Sequence, residues 1–160
     1  MRNFIATLLM LTLAACGPKV GGAAGGGLHI GGDTLPTEAL DAGIGKAIGD
    51  PTTCVLIASR ADSKVLYRYG DGFNCARGLP ACDRPGVMSA EQALALAGGD
   101  GRHASCNSTP TGDRTVGWAE GKATSAKRDL IYSAVMEGQR TLPGMEISAR
   151  LDEVFRQSGL

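Results

Sequence analysis

Between Gly17 and Gly32 every second residue on average is glycine, eight in sixteen, with Pro18 and a single charge at Lys19. Such a run cannot bury enough apolar surface to offset the entropy of ordering it, so it is expected to be a flexible tether. At about 5–6 Å times the square root of its length it would span roughly 20–24 Å. It divides the chain into a leader, residues 1–15, a linking segment, 16–32, and one unit of domain size, 33–160. Sixteen of the 24 glycines remain in that unit, beside few aromatic residues, so the core is expected to be modest and the turns many.

The leader has the form of an export signal. Arg2 is followed by the apolar run Phe4 to Leu13, the length of a signal core and too short to cross a bilayer. It ends in Leu13-Ala14-Ala15-Cys16, which resembles the lipobox of bacterial lipoproteins. The resemblance implies cleavage before Cys16, lipidation of Cys16, and several acyl chains, as stable anchoring requires. Gly17 rather than an aspartate follows the cysteine, which in that family favours the outer membrane. Without residues 1–15 the chain is almost neutral, so the lipid would hold it with no polybasic patch to help. Sixteen basic against sixteen acidic residues also remove the electrostatic case for a nucleic-acid partner.

Within 33–160, Thr34-Leu35-Pro36 is a helix start, Leu40, Ile44, Ala47 and Ile48 follow at helical spacing, and Gly49-Asp50-Pro51 is a stop. The run from Cys54 to Ala58 reads as a central strand. A turn at 61–64 leads into the alternating Val65-Leu66-Tyr67-Arg68-Tyr69, with Val65, Tyr67 and Tyr69 expected on one face. Residues 70–88 are expected to be irregular. Ser89 and Gln92 form a capping box ahead of a short helix through Leu94 and Leu96. A second irregular stretch is expected over 98–114, then strands over 115–120 and 129–136. Ile147, Leu151, Val154 and Phe155 trace a closing amphipathic helix. The order predicts an α+β domain, a small antiparallel sheet with its N- and C-terminal helices packed on one face.

Cys54, Cys75, Cys82 and Cys106 are an even set in a chain expected to be exported, which favours two disulfides. Three connectivities are open. Cys75 with Cys82 closes the tightest loop, which would leave Cys106 to staple the second irregular stretch to Cys54. Zinc would call for closely spaced Cys or His pairs, and neither His103 near Cys106 nor His29 in the linker supplies one. No metal or cofactor is expected.

From Gly112 to Gly121, then along the strand at 129–137 and the helix beginning Ala149-Arg150-Leu151, the chain resembles the end of class D serine β-lactamases and the related penicillin-binding transpeptidases. In that family a Lys-Thr-Gly strand precedes one reading roughly Val-Gly-Trp. The chain carries Val116-Gly117-Trp118, and Ser105-Cys106-Asn107 matches the family's Ser-x-Asn pattern. The catalytic set does not carry over. Cys82 stands in place of the nucleophilic serine, Pro85 in place of the lysine three residues on, and Pro110-Thr111-Gly112 lacks the Lys-Thr-Gly cation. The resemblance therefore makes Ser105, Asn107, Thr111 and Trp118 candidate binding residues and leaves no catalytic residue. A Ser-His-Asp triad would rest on His103 alone, and Asp100 and Asp113 lie in turn sequences. Three functions are expected in order: an outer-membrane-anchored, non-catalytic binding or scaffolding module with an envelope protein or peptidoglycan partner; a degenerate penicillin-recognising domain; and a thiol activity at Cys82.

Overall fold

The computed structural model describes residues 35–98, 100–123 and 128–160. Cys16, the Gly-rich linker and the capping hydroxyl expected at Thr34 lie outside them. Along the chain come α1 (Thr37–Ile48), β1 (Cys54–Ser59), β2 (Val65–Tyr69), α2 (Gly72–Ala76), β3 (Leu79–Pro80), β4 (Val87–Met88) and α3 (Ala90–Leu96). Then follow β5 (Arg102–Asn107), β6 (Thr115–Ala123), β7 (Leu130–Gly138) and α4 (Gly144–Gln157). Five strands form one antiparallel sheet in the order β2-β1-β7-β6-β5, and β3 pairs with β4 as a separate two-stranded ribbon.

The sheet is α+β with the first and last helices on one face, as the periodicity predicts. Leu40, Ile44 and Ile48 of α1 and Ile147, Leu151 and Phe155 of α4 pack on Val55, Ile57, Tyr67, Tyr132 and Ala134. Tyr132 and Phe155 meet edge to face with ring centroids 5.1 Å apart. The opposite face, which the sequence reading left uncovered, carries a third layer of α2, the β3–β4 ribbon and α3. Leu79, Ala81, Met88, Ala93 and Leu94 cover Leu56, Val116, Trp118 and Val135 there. Burial on both faces explains why β1 and β7 are continuous apolar runs instead of alternating ones.

Residues 70–88, expected to be irregular, hold α2, β3 and β4. Three further expectations change. Residues 102–107, expected to be irregular, form the edge strand β5 beside β6. Its alternate residues Arg102, Ala104 and Cys106 are half-buried and the others exposed. This polar edge strand carries almost none of the β-branched and aromatic residues by which strands are read. The register between β1 and β2 also slips between Ile57 and Ala58, where Leu66 is extra, so Val65 packs with the α2–α3 layer while Tyr67 and Tyr69 pack on the α1–α4 side. The third change is the disulfide pairing: the bonds are Cys54–Cys75 and Cys82–Cys106, not Cys75–Cys82 and Cys54–Cys106. Cys54 begins β1 on the face that α2 covers, and Cys106 comes within reach of Cys82 only because β5 is a strand.

The helix caps follow local chemistry. Ser89 and Gln92 exchange side-chain and backbone hydrogen bonds in the expected capping box. Asp71, unforeseen, caps α2 by accepting from Asn74 N–H at 2.7 Å. At the start of α4, Gly144 lies against the sheet itself. A Cβ there would fall 2.1 Å from the Trp118 carbonyl oxygen and 2.6 Å from that of Ala104. Both are fixed by strand pairing, so the clash cannot relax locally. Gly144→Ala is accordingly expected to cost at least about 2–3 kcal/mol, read as a lower denaturant midpoint. Gly45→Ala, whose Cβ would come no nearer than 3.3 Å to the Tyr69 hydroxyl, should cost far less and serves as the comparison.

Candidate functional site

The side chains able to do chemistry collect on the α2–α3 face of the sheet. Both disulfides lie there, as do Trp118 and two buried carboxylates, Glu120 on β6 and Glu137 on β7. Each carboxylate is met by arginine. Glu137 accepts from Arg114 Nε at 2.7 Å and Nη2 at 2.6 Å, from Ser108 Oγ at 2.7 Å and from Arg77 at 3.2 Å. The paired Arg114 contacts are a bidentate fork, the strongest geometry available to a carboxylate. Glu120 is bonded by Arg102, whose guanidinium also grips Asp83 through two nitrogens and donates to the Ala81 carbonyl at 2.9 Å.

The two buried glutamates titrate in opposite directions. Arg114, then Ser108 and Arg77, bring Glu137 down to about 2. For Glu120 burial is the larger effect and pushes it above the ordinary value, with Arg102 pulling back. Asp83 is exposed and held well below the usual carboxylate range by Arg102 and Arg84. These groups are structural clamps: Arg102 fastens residues 81–83 to β5 and β6, and Glu137 ties β7 to residues 77, 108 and 114.

Beside the Arg102 clamp a cleft of about 370 Å³ opens between residues 81–88 and α3. Its apolar lining comes from Ala81, Pro85, Val87, Met88 and Leu96, with Arg84 and Gln92 adding polar groups. Val87 and Leu96 remain 69% and 57% exposed, and Phe73 on the neighbouring α2 is 73% exposed. Three of the four large apolar side chains that are exposed among the described residues thus lie on this layer; the fourth is Met145 on α4.

The four candidate binding residues do not converge. Trp118 is wholly buried, its indole N–H donating to the Pro80 carbonyl at 2.7 Å, so it offers no ring face for stacking. Ser105 and Asn107 project from the other side of β5, where Ser105 Oγ accepts from Gly144 N–H at 2.8 Å. Thr111 sits in the β5–β6 turn, bonded to Asp113. Pro110-Thr111-Gly112 is therefore turn and not strand, and the strand preceding Val116-Gly117-Trp118 is Arg102–Asn107. Cys82 is committed to its disulfide and is no free nucleophile. Among the described residues no group of three His, Cys, Asp or Glu side chains could hold a metal ion. The pairing of Arg102 with Asp83 was missed in the sequence because it depends on β5, and the cleft because one wall is the 81–88 segment, which was expected to be irregular. No family model, curated protein or solved structure matches the chain.

The opposed shifts fix the sign of an acid-stability experiment. The folded value of Glu137 lies below its ordinary 4.5, so its contribution is complete above about pH 4.5 and is lost as pH falls towards 2. Glu120, shifted upward, contributes with the opposite sign. Glu137→Gln should lower stability at neutral pH by about 2–3 kcal/mol. The variant and the unmodified chain should then converge near pH 2 in denaturant midpoints measured across the range.

Proposed function

We propose that the chain is a non-catalytic binding or scaffolding module, held by lipidated Cys16 on the periplasmic side of a bacterial outer membrane, and that it docks an envelope partner in the cleft between residues 81–88 and α3. The exposed Val87 and Leu96 carry the reading, since both line the same cleft, and grouped exposed apolar side chains mark contact sites. The lipobox and the Gly-rich linker support the anchor, and the loss of the serine and lysine positions supports the absence of acyl-transfer chemistry. Leu35, where the described fold begins, is buried in the α1–α4 cluster.

A photo-crosslinking side chain at Ala95, in the cleft, should give one reproducible adduct in cells. The same group at Ala42 on α1 should not, and Leu96→Asp should abolish the Ala95 adduct. No adduct at Ala95, or one indifferent to Leu96→Asp, rejects the cleft as the docking site. Cys16→Ser should move the protein from the membrane fraction to the soluble one, and retention on the membrane rejects the lipid anchor.

A second reading is a degenerate penicillin-recognising domain. It is favoured by a sheet in which the Val-Gly-Trp strand lies between the Ser-x-Asn strand and the last strand, with the terminal helices together on one face. Fluorescence polarisation of a labelled penicillin distinguishes it; no change at high protein concentration excludes it.

A further inference from the structure

The two disulfides occupy unlike places. Cys54 and Cys75 are wholly buried, one at the start of β1 and the other in α2. Cys82 and Cys106 are only partly buried, at the edge of the sheet. Cys82 also has a backbone φ of 68°, in the left-handed region that a residue with a Cβ occupies only where its surroundings hold it. The bridge from Cys82 to Cys106 is one of two ties between residues 81–87 and the edge strand. The other is Arg102, four residues before Cys106 and on the same face of β5, which binds Asp83 and the Ala81 carbonyl. Residues 81–87 form one wall of the cleft.

From this we propose that Cys82–Cys106 is a reversibly reducible bridge that sets the rigidity of the cleft wall, while the Arg102–Asp83 pair keeps the two thiols opposed so that the same bond re-forms. The inference rests on the reading of the cleft as the binding surface, and it adds regulation of that surface by a dithiol. A thiolate of the dithiol attacks one sulfur of the bridge, giving a mixed disulfide, and the displaced cysteine sulfur takes up a proton. The second thiol of the reductant resolves the mixed disulfide. Two electrons and two protons pass to Cys82 and Cys106, and the dithiol leaves as a disulfide. Partial exposure lets the attacking thiolate reach this bridge, while burial denies it the Cys54–Cys75 sulfurs. Once the bond opens, the positive φ at Cys82 is held only by the backbone bond across it, from Asp83 N–H to the Ala81 carbonyl at 2.9 Å, and the wall loosens. Trp118, bonded to Pro80 two residues away, lies where it would register the change.

Neither readout of the test needs a partner molecule, so its failure is separable from failure of the docking reading. The full-length chain is treated with increasing dithiothreitol and free thiols are alkylated and mapped. Cys82 and Cys106 should be labelled at least about tenfold faster than Cys54 and Cys75. Amide exchange across 80–88 should then rise about tenfold while α1 and α4 stay unchanged, and Trp118 emission should shift to the red. Simultaneous or reversed reduction of the two bridges overturns the proposal. Selective reduction that leaves exchange across 80–88 unaltered overturns it equally. Cys82→Ser with Cys106→Ser should match the exchange of the reduced chain. Asp83→Asn, which removes the exposed half of the Arg102 pair, should slow correct reoxidation several-fold. Unchanged reoxidation in Asp83→Asn rejects the role assigned to that pair.

Discussion

The layer over the second face of the sheet is made of pieces too short to stand alone, and the rest of the structure depends on how they are held. α2 has five residues, α3 seven, and β3 and β4 two each. Helices of that length do not persist in water on their own propensity, and a two-stranded ribbon is no better. Yet this layer must exclude water from Leu56, Val116, Trp118 and Val135, which the sheet presents to it. Covalent and ionic ties supply what length cannot. Cys54–Cys75 pins α2 to β1, Cys82–Cys106 pins residues 81–87 to β5, Arg102 joins Asp83 of that segment to Glu120 of β6, and Arg77 at the end of α2 pairs with Glu137 of β7. Each disulfide closes a loop of somewhat more than twenty residues, for which chain entropy alone stabilises by about 3 kcal/mol.

This dependence accounts for carboxylates at positions where apolar residues would pack more simply. A buried glutamate is costly unless paired and fully hydrogen-bonded. Glu137 meets both conditions, with three donor side chains on one carboxylate. What it contributes is direction: its partners lie at positions 77, 108 and 114, so a single side chain aligns the end of α2, the end of β5 and the start of β6. Glu120 is less well served, and its upward shift records a burial that Arg102 only partly offsets. Arg102 is shared between Glu120 and Asp83, so it joins the sheet to the 81–83 segment instead of neutralising one acid completely.

Wherever an element announces itself through apolar periodicity or capping chemistry, the chain could be read directly. The spacing of Leu40, Ile44 and Ile48, the apolar run from Cys54, the Ser89–Gln92 box and the face of Ile147, Leu151 and Phe155 each predict an element that is present. What escaped is of another kind. β5 is a strand because β6 offers it a partner and because Cys106, Ala104 and Arg102 have somewhere to go. Its own residues, Arg102-His103-Ala104-Ser105-Cys106-Asn107, carry little strand preference. Losing β5 loses the disulfide pairing, because local loop length then points to Cys75 and Cys82 as neighbours. It loses the candidate site as well, since the Arg102 clamp beside the cleft starts from that strand. The β1–β2 slip at Leu66 is likewise invisible in an alternation that reads cleanly on paper.

The two faces of the sheet have thus been built by different rules. The α1–α4 side is a conventional helix-on-sheet core whose largest members, Tyr67, Tyr132 and Phe155, interlock without ion pairs to orient them. An opening of about 320 Å³ lies on that side too, between α1 and α4, but none of its lining residues is a large exposed apolar side chain. The α2–α3 side is stapled, and a stapled layer can leave gaps between its pieces without collapsing, because its position does not depend on close packing along its whole length. The cleft between residues 81–88 and α3 is such a gap, and exposed Val87 and Leu96 are the side chains that a thin layer leaves uncovered. The economy that makes this face dependent on disulfides therefore also gives it the open apolar surface on which the proposed binding role rests.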